Sequence, residues 1–328
     1  MRIVQAFRGA TMRSHKLIFA GMIALFAIGI VVVGFEAIAQ NKPESAASNQ
    51  KFSTPAEGSV VRLSARSKPA PEAALKGAAP AAFEGAALRN SELQSQLDWS
   101  FGGKQQRGWY LYTPLVANLI GAESDGTASE FAVRLSLWQM QREVEATGVL
   151  DNGTWSQMIS AFQSQRMKNK TCPTADQLVT APVSDCYDPS RPEELRKIER
   201  QTFAAYKRLV AAASADSSLG LHVAADGQLA PNEKFLKIVS AYRSQEYQDQ
   251  LRRQSPKSGR AGLAVNSPHS TGRALDLYVG GEPVDTKDEN RALQTRTRVY
   301  RWLVKNAARF GFQPYFYEPW HWEYTGTK

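Results

Sequence analysis

Residues 266–279 read NSPHSTGRALDLYV and residues 317–324 read YEPWHWEY. Between them they carry His269, Asp276, Glu318 and His321. The chain has four histidines; the other two, His15 and His222, lie before an apolar N-terminal run and in a polar segment. Two imidazoles and a carboxylate are donors that suit Zn2+, and three protein ligands leave one coordination position for water, which separates a catalytic zinc from a structural one. The HExxH helix of many zinc proteases is absent, so the ligands have to come from separate loops. A His-x6-Asp pair alone is more often a loop histidine and a strand-end carboxylate. Its coincidence with a second His and Glu, and with an arginine segment upstream, favours the metal reading.

Those side chains need elements to carry them. Gly272 interrupts any helix after His269 and predicts a loop there. Residues 274–279 are apolar and β-prone around one carboxylate, which predicts a buried strand whose Asp needs a cation or hydrogen-bond donors beside it. Pro319 biases Glu318 towards extended backbone. Residues 312–317 read as the strand that delivers Glu318, with Trp320 and Trp322 walling the site. Upstream, apolar residues 235–241 predict a strand leading into Tyr242-Arg243-Ser244, followed by a helix over 246–253. Residues 255–264 read as a polar, Gly-containing lip beside the site, and 297–310 as a helix with Val299, Trp302, Leu303 and Ala307 on one side.

Ser267-x-His269-x-x-Gly272-x-Ala274-x-Asp276, followed by Glu318-Pro319-Trp320-His321 and preceded by Ser240-x-Tyr242-Arg243-Ser244 with Gln248, resembles the VanY-type D-alanyl-D-alanine carboxypeptidases and their LD-carboxypeptidase relatives. The resemblance covers about the last 135 residues, an ordinary domain size. It implies that His269, Asp276 and His321 hold Zn2+, which activates a water, and that Glu318 is the general base. Arg243 would stabilise the oxyanion or clamp a substrate carboxylate. Gln248, Ser267 and Trp320 would contact substrate. The implied reaction is release of a terminal D-Ala from peptidoglycan stem peptides. An endopeptidase with the same zinc site, or a wall-binding protein without chemistry, are the alternatives.

The rest of the chain is read as context for that domain. The net charge of +9 includes Arg2, Arg8, Arg13 and Lys16 with no acid in the first 16 residues, leaving +5 over the other 312. That is no nucleic-acid footprint. Residues 17–35 carry no charge over 19 positions. With the basic cluster before them they predict a membrane anchor, or a cleaved signal given Ala37-Ile38-Ala39, and place the body outside the cytoplasm, in the periplasm or envelope. Residues 1–40 are therefore the anchor or signal, and 41–90, rich in Ala, Ser, Pro, Lys and Glu, a disordered linker.

Residues 91–190 predict a mostly helical domain, with helices over 131–144 and 154–165 around Gly148-x-Leu150-Asp151-x-x-Thr154-Trp155. That pattern is similar to small three-helix peptidoglycan-binding modules; a helical packing domain with core aromatics is the alternative. Cys172 and Cys186 are the only cysteines, and in an exported chain they are expected to form a disulfide, stabilising by about 3 kcal/mol for a loop of about 15 residues. An amphipathic helix over 192–213 opens the catalytic domain, 191–328. The expected fold class is α+β: a zinc peptidase domain with a small antiparallel sheet and flanking helices behind a small, mostly helical domain.

Overall fold

A computed structural model describes residues 80–123, 126–254, 264 and 266–326. The expected anchor or signal at 17–35, most of the linker, and the lip at 255–264 apart from Ala264 lie outside them. Among the described residues, no helix is long and apolar enough to cross a membrane.

Helix α1 (Glu84–Gln96) begins inside the stretch expected as linker, which corrects that boundary. Its Asn90 is fully buried and uses both ends of its amide: Nδ2 donates to the Gly148 carbonyl at 2.8 Å and Oδ1 accepts from Leu150 N at 2.7 Å. Satisfied locally, the amide is tolerated inside the core. A hairpin follows, β1 (Asp98–Phe101) against β2 (Lys104–Arg107). It turns on Gly102 and Gly103, both at positive φ, as a tight hairpin requires.

After α2 (Thr113–Ile120) and α3 (Ser129–Gln141), Asp151 accepts a hydrogen bond from Thr154 N at 2.8 Å and caps α4 (Asn152–Gln165). The aromatics of this region point inward. Trp109 stacks on Phe131 with centroids 5.7 Å apart, and Trp155 meets Trp99 edge-on at 5.2 Å.

The helix expected over 192–213 is shorter. A 3-10 turn, Glu193–Arg196, leads into β4 (Lys197–Glu199), which pairs with β3 (Leu178–Thr180). The helix α5 runs only from Arg200 to Ser214. Glu199 ends the strand and starts the helix, because its carboxylate accepts from Gln201 N and Thr202 N.

The expected disulfide is not formed: Cys172 is an exposed free thiol and Cys186 a buried one. Cys186 is held inside by the turn Val183–Asp185 and directs its Sγ to the Pro182 carbonyl at 3.7 Å; burial raises its pKa and keeps it protonated.

A four-stranded antiparallel sheet of order β5-β6-β8-β7 carries the chemistry: β5 (Ile238–Ser240), β6 (Ala274–Leu277), β7 (Phe312–Pro314) and β8 (His321–Tyr324). Helices α6 (Gln245–Gln254), α7 (Asp288–Arg296) and α8 (Arg298–Asn306) complete the region. Thr297 caps α8 by accepting from Tyr300 N. Helices over small antiparallel sheets make this an α+β fold. The hydrophobic core is continuous from the first helices into the sheet: Phe162 stacks on Phe316 at 6.0 Å and Tyr112 packs on it at 5.5 Å.

Candidate metal centre

Strand register brings the donors together. On the sheet, Ser240 lies opposite Asp276, and Asp276 opposite His321. His269 arrives from the side, on a one-turn 3-10 helix, Pro268–Thr271, that ends at Gly272 with φ 66°. A side chain at 272 would be strained, and its Cβ would sit 2.9 Å from Glu199 N. Ser267 starts the turn by accepting from His269 N at 3.3 Å.

The Glu318-Pro319-Trp320-His321 segment is a β-turn. His321 N donates to the Glu318 carbonyl at 2.9 Å, with proline at the second position. That corrects the expectation of a strand running to residue 317, since β7 ends at Pro314. The turn folds Glu318 back so that its Oε2 lies 4.0 Å from His321 Nδ1.

Three donor atoms face one another. His321 Nδ1 is 3.0 Å and His269 Nε2 3.3 Å from Asp276 Oδ1, and the two nitrogens are 3.2 Å apart. All three residues are buried, and they form a group able to hold a metal ion. A tetrahedral zinc with bonds of about 2.0–2.1 Å sets its ligand atoms about 3.3–3.4 Å apart, so the triangle fits that ion.

The outer partners fix which nitrogen faces inward. His269 Nδ1 donates to the Ala241 carbonyl at 2.7 Å, leaving Nε2 as the ligand atom. His321 Nε2 donates to Glu323 Oε1 at 3.3 Å, leaving Nδ1. Asp276 presents Oδ1 to the imidazoles and accepts on Oδ2 from Arg243 Nη2 at 2.8 Å.

The charges respond to this crowding. Burial pushes His269 down to about 4, helped by Arg243 and opposed by Asp276. For His321 burial acts in the same direction, but hydrogen bonds to Asp276 and Glu323 outweigh it and raise the imidazole to about 9. Burial alone would raise Asp276; His269, His321 and Arg243 instead hold it well below the usual carboxylate range. The two rings thus compete for a single carboxylate oxygen, and an ion taken up there would displace a proton. Burial raises Glu318 to about 7, against the pull of His321 and with Asp276 adding to it. A carboxyl so placed exchanges protons near neutrality. A dication beside it would draw it lower.

The other expected site residues have different surroundings. Arg243 donates through Nε to Ser240 Oγ at 3.0 Å as well as to Asp276. Gln248 is buried; its Nε2 holds the Ala264 carbonyl at 3.1 Å, while its Oε1 has no partner among the described residues. Ser267 is buried under its own turn. Trp320 is 3 % exposed and packs in the core, its carbonyl accepting from Leu277 N at 2.8 Å.

Two residues went unread in the sequence. Glu323 follows His321 by two positions on β8, a spacing that puts both side chains on one face, so strand periodicity could have found it. Arg166, which donates to Glu323, lies 157 positions away and carries no local signal.

The three motifs, their order and the geometry agree with a comparison against known families. Residues 195–327 match the VanY family model, D-alanyl-D-alanine carboxypeptidase. The match bears out the resemblance read from the motifs and supports a peptidase of the carboxypeptidase kind over this VanY-like segment. No curated protein matches the chain. Among solved structures, one described as the LdcB LD-carboxypeptidase, revealing the molecular basis of peptidoglycan recognition, is similar at 22% identity with a TM-score of 0.32. It covers 50% of this chain and 73% of that one, a likeness too slight to argue from.

Proposed function

We propose that the protein is a zinc-dependent carboxypeptidase that releases a terminal D-alanine from peptidoglycan stem peptides outside the cytoplasm. One observation carries this reading: three buried donor atoms within 3.0–3.3 Å of one another, with the Glu318 carboxylate 4.0 Å from one of them. His269, Asp276 and His321 would hold the ion; when bound, zinc polarises a carbonyl and makes water acidic enough to be deprotonated near neutrality.

The protein supplies the proton chemistry and the orientation. Glu318 takes a proton from the attacking water and returns it to the leaving amine. The turn through Pro319 fixes its approach. Arg243 keeps Asp276 ionised and oriented, and lies close enough to the centre to meet a substrate carboxylate or developing negative charge. Gln248, with a buried acceptor, and Ser267, beside His269, are the residues we assign to substrate contact. Trp320 supports the site from within the core. The basic cluster and apolar stretch of residues 1–35 would export or anchor the enzyme, where stem peptides are found.

The test is incubation of the purified protein with defined tetrapeptide and pentapeptide muropeptides, with and without chelator, and weighing of the products. Loss of one alanine from the pentapeptide, abolished by chelator, is expected. Cuts within the stem or cross-bridge would make it an endopeptidase. Unchanged muropeptides in the presence of zinc would remove the hydrolase reading.

A further inference from the structure

The segment leaving α4 runs along the metal centre and touches both halves of it. Lys170 Nζ donates to the Asn266 carbonyl at 2.9 Å, and Thr271 Oγ1 lies 3.6 Å from Met167 Sδ, so residues 167 and 170 brace the turn that carries His269. On the other side the contact is ionic. Arg166, the residue that caps the C-terminal end of α4, donates from Nε to Glu323 Oε1 at 2.9 Å and pairs with the same oxygen through Nη2. Met167 N donates to Glu323 Oε2 at 2.8 Å. The guanidinium lies over the Tyr315 ring, 3.9 Å from its centre, which fixes its plane. Glu323 is fully buried, and the oxygen gripped by Arg166 is the one that accepts from His321 Nε2.

We propose that Arg166 is a positioning residue for the metal ligand His321, acting through Glu323. A carboxylate behind a ligating imidazole orients the ring and raises its basicity, and that carboxylate needs holding in turn. Here the hold comes from outside the segment that matches the VanY family, 195–327. Arg166 and Met167 N occupy both Glu323 oxygens, so the carboxylate has one rotamer in which to meet His321. The helical region therefore supplies part of the centre rather than only a neighbouring module. This inference rests on the zinc reading given above.

The experiment compares the full chain with Arg166→Met, Arg166→Lys and Glu323→Gln. Zinc dissociation constants are measured by competition with a chelating dye, kcat and KM on the pentapeptide muropeptide, and thermal unfolding in chelator. Arg166→Met and Glu323→Gln are expected to weaken zinc binding by about 10–100-fold. They should lower kcat more than KM changes, and Arg166→Lys should recover part of both. A purely structural ion pair would move the unfolding midpoint but leave the zinc affinity of the folded protein unchanged. Zinc affinity within twofold of wild type in folded Glu323→Gln and Arg166→Met overturns the proposal. If Arg166→Met does not fold, Arg166→Gln takes its place under the same criterion. Failure of the wild type to bind zinc would instead remove the functional reading, and this inference with it.

Discussion

The helical region, residues 84–165, and the β5–β8 sheet bury different things. The helical interior is made of rings and aliphatic chains, and two of its buried polar side chains are neutral amides bound to nearby backbone. Asn90 bridges Gly148 and Leu150, and Gln139 holds Gly148 N at 2.8 Å and the Val149 carbonyl at 3.0 Å. The sheet region buries Asp276, Glu318, Glu323, His269, His321 and Arg291. Neutral amides with backbone partners sit in a core at little cost, whereas charges there are costly unless paired. The sheet region gives up stability where it gains chemistry; the helical interior does neither.

Two arginines join the regions. Arg166 reaches from the helical side to Glu323. Arg291 reaches back: its Nη1 donates to Tyr112 Oη at 3.0 Å and to the Tyr317 carbonyl at 3.1 Å, next to Glu318.

If that division holds, variants in the sheet change chemistry, and variants in the helical interior, away from Arg166, change stability. The largest effect is expected from Glu318→Ala: a fall in kcat of about 100–10,000-fold with zinc still bound, read by turnover together with metal analysis. Full activity in that variant would remove the base. His269→Ala should bind less than one zinc per chain under conditions that saturate the wild type; unchanged stoichiometry would reject it as a ligand.

On the helical side, Trp155→Ala should cost about 3–5 kcal/mol in denaturant unfolding, because the ring is fully buried, while kcat per folded molecule stays near wild type. A fall in kcat as large as that of Glu318→Ala would blur the division.

A smaller effect concerns acid. Burial would raise Glu323, but His321 and Arg166 hold it at about 2, below its ordinary value of 4.5. A depressed carboxylate stabilises the fold fully above the ordinary value, and that contribution is lost as pH falls from there towards 2. Thermal midpoints followed downward from pH 6 should therefore fall more steeply in the wild type than in Glu323→Gln. Parallel curves would contradict the assignment. The smallest effect is expected from Cys172→Ser, an exposed free thiol: a change within about 0.5 kcal/mol, with or without reductant.

What the sequence made legible follows from the range of each signal. The candidate metal-ligand residues were readable because the geometry that presents each one is local: a capped turn before Gly272, one strand residue, and a proline turn that sets Glu318 three positions from His321. Helices α3 and α8 were readable from apolar spacing, and α4 from the turn that opens it. The start of α5 was misread because Leu195 and Ile198 fit a helical stripe equally well. Pairing with β3 decides it, and that partner lies about 20 positions upstream. The hairpin at Gly102-Gly103 had a turn signal, but its charged and amide-rich second strand hid the alternation. Cys172 and Cys186 invited a bridge on compartment grounds, yet the turn at 183–185 buries one and leaves the other outside. Arg166 was beyond reach because only the tertiary fold brings it to Glu323, 157 positions away.

The most direct test is anomalous scattering at the zinc edge from crystals of the zinc-loaded chain. One strong peak is expected about 2.0–2.2 Å from each of His269 Nε2, Asp276 Oδ1 and His321 Nδ1, with Glu318 beside it and not bound. A peak held by other residues, or no peak within reach of these three atoms, would contradict that expectation.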